Sequence, residues 1–182
     1  LDAIEGFVVR RFVVGVPTNA LTKIFAPLYA QASRNVDFVP GVRKLLSSRN
    51  CPRDTQFREH LGTFRAYGGG GRREKTKFIL ETLEAALGHK EQIDPATMTI
   101  EHVMPQSLTV QWKIELGDTW EEDHEELLHT LGNLTLTGYN SELGNAAFSA
   151  KKSYFASSHV EMNSYFGSIE RWNAAAIERR AE

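Results

Sequence analysis

The sequence predicts a mainly α-helical protein in two parts, with one small β-hairpin. Three observations predict it. Through residues 1 to about 90, apolar side chains recur at helical spacing. Two short runs, TIEHV (99–103) and NLTLTG (133–138), carry strand character. Between these regimes KEQIDPATM (90–98) is polar and holds a proline, which divides a helical region, 1–92, from a second region, 93–182.

The helical signals come in order. Leu1, Ile4, Phe7 and Val8 share one face. Leu21, Ile24, Phe25, Leu28 and Tyr29 share another, with Thr18 after Pro17 as its N-cap and Pro27 as a kink. Asp54 is a cap candidate for a helix presenting Phe57, Leu61 and Phe64. REKTKFILETLEAALG places Ile79, Leu80, Leu83, Ala86 and Leu87 on one side and stops at Gly88, a natural C-cap. Between the strand-like runs, WEEDHEELLHTLG reads as a short acidic helix. Two further helices follow, one capped by Asn145 and the last capped by Ser168. Trp112, Trp120 and Trp172 read as core packing, and His60 and His89 as surface residues.

Bulk properties narrow the function classes. At 182 residues, 41% hydrophobic and 24% charged, the chain can bury a real core. A formal net charge of −2 gives no global case for nucleic acid or membrane binding, so any such site rests on local Lys and Arg. The single cysteine, Cys51, excludes an internal disulfide and a cysteine-based zinc site. It fits a reducing, cytoplasmic setting, and no apolar run reaches membrane-spanning length. The chain starts without Met, already in a helical pattern, and reads as part of a longer protein lacking its N-terminal domain.

Two local features raise chemistry directly. YGGGGRREKTK (67–77) joins four glycines to Arg72, Arg73, Lys75 and Lys77. Its bland reading is a solvated linker and helix start, and its sharper reading is a phosphate-contacting loop. HEELLH (124–129) imitates the zinc-protease His-Glu-x-x-His motif but spaces its histidines five apart. On a helix that separates them by roughly 140°, so they cannot share a metal. His124 is then expected in solvent, and His129 packed or capping near the next strand.

The remaining motif is IEHVMPQ. Glu101 and His102 end an apolar run, and some 30 residues later GNLTL and GYNSELGNAAFSAKK follow. This order resembles the HNH nucleases, whose site is a β-hairpin packed on one helix around a single divalent metal. More narrowly, the set IEHVMPQ, LHTLGNLTLTGYN and GNAAFSAKK resembles the C-terminal HNH nuclease domain of GmrSD-type, modification-dependent restriction enzymes. Related nucleases belong to the phosphorothioate-sensing Ssp (SspE-like) antiphage system. FVVRRFVVGVPTNALTKIFAPL and KFILETLE also look like the helical segment that precedes the nuclease there.

The resemblance implies a metal-dependent DNA endonuclease, a nickase by expectation, acting in bacterial defence on double-stranded phage or plasmid DNA. It implies Mg²⁺ or Mn²⁺ held by Glu101 and the amide oxygen of Asn140. It puts His102 and Asn133 in the catalytic set, His102 as the base that activates water and Asn133 as the tie between the hairpin arms. Lys151, Lys152, Arg72 and Arg73 are the expected phosphate contacts. Glu stands where many relatives carry Asp, and Asn140 where other branches carry His. Both changes favour a hard cation over zinc. Neighbours on a regular strand face opposite sides, so Glu101 and His102 converge on one phosphate only if the backbone bends near Pro105. The expected partner is an N-terminal sensing or NTPase domain of the same protein, with no membrane and no assigned oligomer. Two other readings stand beside this one: a DNA-binding module that kept the fold and lost the chemistry, and a protein-docking scaffold built on residues 1 to about 90.

Overall fold

The structure is a computed structural model and describes residues 1–88 and 94–182. His89 and the boundary expected at 92/93 lie outside the described residues. The chain is mainly helical, with one two-stranded antiparallel sheet, and packs as two compact units, Leu1–Leu61 and Gly62–Glu182.

The first unit contains α1 (Asp2–Val13), α2 (Leu21–Phe25), α3 (Leu28–Ala32), α4 (Phe38–Ser47) and α5 (Asp54–Leu61). Phe7, Leu28, Ala32, Val42 and Leu46 form its core, with Ile4 and Val8 packed against them. Pro27 does more than kink its helix. It separates α2 from α3, because it lacks the N–H that would carry the ladder across. Thr18 opens a 3-10 turn and makes no capping bond. Asp54 is the first residue of α5, and its carboxylate pairs with Arg10 at 2.6 Å. Arg11 is buried and donates to the carbonyls of Asn50 (3.0 Å) and Pro17 (2.7 Å). One α1 side chain thereby satisfies two loop ends that have no ladder of their own.

The second unit opens with the glycine loop and α6 (Arg72–Leu87), which ends at Gly88 in the left-handed conformation (φ 70°), as the sequence predicts. Its buried face is rotated from the predicted one. Thr76, Ile79, Leu80 and Glu84 are inside, whereas Leu83 and Leu87 are about half exposed. The polar members explain the rotation. Thr76 Oγ1 donates to Ala66 O at 2.6 Å, and the Glu84 carboxylate accepts the N–H groups of Glu161 (2.6 Å) and Met162 (2.9 Å). Glu84 thus terminates the 3-10 segment Glu161–Ser168, whose first amides have no helical acceptor.

The two strand-like runs form the sheet. β1 (Thr99–His102) pairs with β2 (Leu134–Thr137), placing Glu101 opposite Thr135 and His102 opposite Leu134. Between them lie α7 (Val110–Leu116), which no sequence signal singled out, and the expected acidic helix α8 (Trp120–Leu127). After β2 come α9 (Asn140–Leu143), α10 (Phe148–Ala156) and α11 (Ala174–Ala181). Two expected caps are corrected. α10 begins at Phe148 behind Ala147, so Asn145 does not cap it. Asn173, not Ser168, caps α11, accepting from Ala176 N at 3.1 Å. Trp112 and Trp172 are fully buried in the core with Met104, Phe148 and Phe166, and Trp120 packs on its edge. Gly132 is forced by contact: a Cβ there would sit 2.1 Å from Ile177 O. No helix among the described residues is long and apolar enough to cross a membrane.

Candidate functional site

The end of β1 gathers the groups of interest. The strand runs regularly through His102, so successive side chains meet different partners. Glu101 turns to α10, where its carboxylate accepts from Lys151 Nζ at 2.5 Å. Lys151 also donates to the backbone carbonyl of His102 at 2.9 Å. Neither side chain of the pair reaches solvent appreciably, at 5% exposure for Glu101 and none for Lys151. Burial pushes the Glu101 carboxyl above its ordinary value and the Lys151 ammonium below its own, and each partner opposes the other's shift.

His102 faces the other way. Its Nε2 lies 3.1 Å from His129 Nδ1, at hydrogen-bond distance. The Tyr67 ring meets His102 edge-on with centroids 4.6 Å apart, and stacks with His129 at 5.7 Å. His102 is buried, and burial lowers it to about 3, helped by His129, Lys151 and His124. His129 is lowered as well, first by burial and then by Arg65 and His124. Both imidazoles are therefore neutral near pH 7. His124 is not the solvated residue the sequence suggested: its Nε2 donates to Pro105 O at 3.0 Å and anchors the segment after β1.

Asn133 holds this end of the hairpin together. Its Nδ2 donates to Met104 O and Leu128 O, both at 2.9 Å. Its Oδ1 accepts from Met104 N at 2.7 Å and Trp172 Nε1 at 3.0 Å. Every polar atom of the amide is engaged. Arg180 adds a clamp from α11, donating to Gly132 O (2.8 Å) and Leu134 O (2.7 Å).

The expected phosphate contacts divide. Lys151 is buried on Glu101 and presents no charge to solvent, because its ammonium pairs with that carboxylate. Lys152 donates to Ile169 O at 2.9 Å. Arg72 and Arg73 open α6 and are exposed, with Arg72 donating to Arg65 O at 2.6 Å. Asn140 opens α9, which packs near β1, but its side chain lies outside the described residues. Among the described residues no three His, Cys, Asp or Glu side chains form a cation site. His129 and Tyr67 are the site residues that sequence reasoning missed. The one available signal was the position of His129 four residues before Asn133, so that a chain turning back to β2 delivers it to the end of β1.

Comparison with known families agrees with this picture. Residues 51–182 match the family described as GmrSD restriction endonucleases, C-terminal domain. No curated protein matches the chain. The family match spans more than half of the chain, and the chain belongs to that family. Membership supports a restriction-endonuclease-type function with DNA as the substrate.

Proposed function

We propose that this member of the GmrSD C-terminal domain family is an HNH-type, metal-dependent DNA endonuclease in which His102 activates the attacking water. The observation that carries the reading is the position of His102. It sits at the end of the hairpin, opposite Leu134, with one ring nitrogen engaged by His129. A neutral imidazole can accept a proton, and the approach of an anionic phosphate favours its protonated form. The β1–β2 hairpin, with the Lys151 helix joined to it through Glu101, supports the reading of a ββα-type site.

Asn133 keeps the segment after His102 in place through Met104. Tyr67 covers the imidazole pair on one side. Arg72 and Arg73, exposed at the start of α6, suit contacts to flanking phosphates, a role that buried Lys151 does not suit.

A divalent cation at Glu101 would require Lys151 to release the carboxylate, and because β1 stays regular through His102, Glu101 and His102 do not converge as the sequence reading required. Glu101 is a buried carboxylate already matched to a cation, Lys151, and Glu101 with Asn140 would hold Mg²⁺ or Mn²⁺ through oxygen. Once bound, such an ion relieves charge on the phosphate and on the departing oxygen. The Glu101–Lys151 ion pair favours a second reading, a DNA-binding module that kept the fold without the chemistry, since it occupies the expected ligand.

One assay separates the two readings: supercoiled plasmid incubated with the chain in Mg²⁺, Mn²⁺ or EDTA. Conversion to open circles with metal and none with EDTA supports the nuclease. DNA retention without cleavage in any metal supports the module. Nicking, a defence role against phage, and control by an N-terminal sensing domain complete the proposal.

A further inference from the structure

We infer that His129 is a positioning residue that fixes the tautomer of His102, so that Nδ1 is the proton-accepting atom. The inference rests on the reading of His102 as the base.

One proton is shared between His102 Nε2 and His129 Nδ1, which lie 3.1 Å apart. If His129 donates, His102 must carry its own proton on Nδ1, and both of its nitrogens are then spent. If His102 donates, its Nδ1 keeps a lone pair, and His129 carries its proton on Nε2. Among the described residues His102 Nδ1 has no hydrogen-bond partner, so only the second arrangement leaves an atom able to take a proton from water.

The backbone around His129 is built to hold that ring still. His129 O accepts from Ala66 N at 2.8 Å and from Tyr67 N at 3.3 Å. Ala66 O is in turn held by Thr76 Oγ1 from α6. Tyr67 then stacks on His129 and meets the edge of His102. The glycines that follow give the loop its path, with Gly70 and Gly71 at φ 68° and 74°. The glycine loop, which the sequence offered as a solvated linker or a phosphate grip, thus begins with a clamp on the imidazole pair. A ring oriented by a second group loses activity in the wrong tautomer even when its geometry is intact.

The test uses the 182-residue chain with nitrogen-15 labelled histidine. Nitrogen shifts distinguish a protonated from a bare ring nitrogen, and they are read alongside steady-state cleavage kinetics. Wild type should show His102 protonated at Nε2. His129→Phe removes the acceptor, so His102 should become a mixture of tautomers and kcat should fall about 10- to 100-fold with KM unchanged. His129→Asn places an amide oxygen near the lost Nδ1 and should restore most of the rate. It also keeps the comparison readable if the Phe variant folds poorly. His102 protonated at Nδ1 in wild type, or a tautomer and kcat unmoved by His129→Phe, would overturn the inference. If His102→Ala cleaves at the wild-type rate, the base assignment fails instead, and the nitrogen shifts still decide what His129 does to His102.

Discussion

Lys151 reaches from α10 to place its ammonium 2.5 Å from the carboxylate of Glu101, both side chains being shielded from water. The pair joins the helix to the sheet, because the same ammonium also holds the carbonyl of His102. Removing one partner strands a charge. Lys151→Met should cost about 3–5 kcal/mol of unfolding free energy, whereas the double change Glu101→Gln with Lys151→Met should cost clearly less. Urea titration followed by tryptophan fluorescence reads this directly, since all three tryptophans lie in the second unit. Equal losses in the single and double variants would contradict it.

Asn133→Ala removes a side chain that satisfies four groups at once, among them Met104 N and Trp172 Nε1. Unpaired buried groups cost roughly 1–3 kcal/mol each, so the loss should exceed that of an ordinary cavity. Asn133→Asp should fare poorly too, because it gives up both donors to Met104 O and Leu128 O. Thermal unfolding of the two variants against wild type is the check.

Gly132→Ala tests a purely steric claim. The added methyl would meet the backbone oxygen of Ile177 at 2.1 Å, and a backbone atom cannot swing away as a flexible side chain can. The expected result is a loss of at least about 1–3 kcal/mol, measured by urea titration. Gly69→Ala, where a Cβ meets nothing within 4 Å, serves as the control and should change little.

Stability should also depend on pH through His102. Burial lowers it from 6.5 to about 3, so the unfolded chain takes up a proton where the folded chain does not. Its stabilising contribution is whole above pH 6.5 and is lost as pH falls toward 3. Over that window the slope is about 1.4 kcal/mol per pH unit for one such histidine. Urea midpoints at several pH values in wild type and His102→Gln measure it. The variant should show a shallower acid limb, while His129, lowered in the same direction, and the carboxylates that titrate in this range keep the rest.

Those four tests draw on features that were unequally legible in the sequence. The two strands were plain, because TIEH and LTLT are short β-prone runs outside any helical pattern. Gly88 marked its helix end because only a left-handed residue suits that position. Asn133 was singled out by the resemblance, and its amide is fully engaged in the structure. The face of α6 was misjudged because apolar spacing alone favoured Leu83, while the packing recruits the polar Thr76 and Glu84 to serve loop and turn amides. The burial of Lys151 was hidden for a related reason. Two adjacent lysines on a helix look solvated, and only the tertiary meeting with Glu101 draws one of them inside. Ser168 and Asn173 are both competent caps, and the local sequence does not choose between them. His129 joins the site because the chain folds back across β1, and its place four residues before Asn133 was only a local hint of that long-range meeting.

The central claim is that His102 takes the proton from the attacking water. Single-turnover plasmid cleavage by wild type and His102→Ala, at saturating Mg²⁺ and with circular dichroism to confirm folding, tests it most directly. The expected result is a fall of about 10²- to 10⁴-fold in the cleavage rate, with DNA binding retained. Cleavage at an undiminished rate by a folded His102→Ala protein would contradict it.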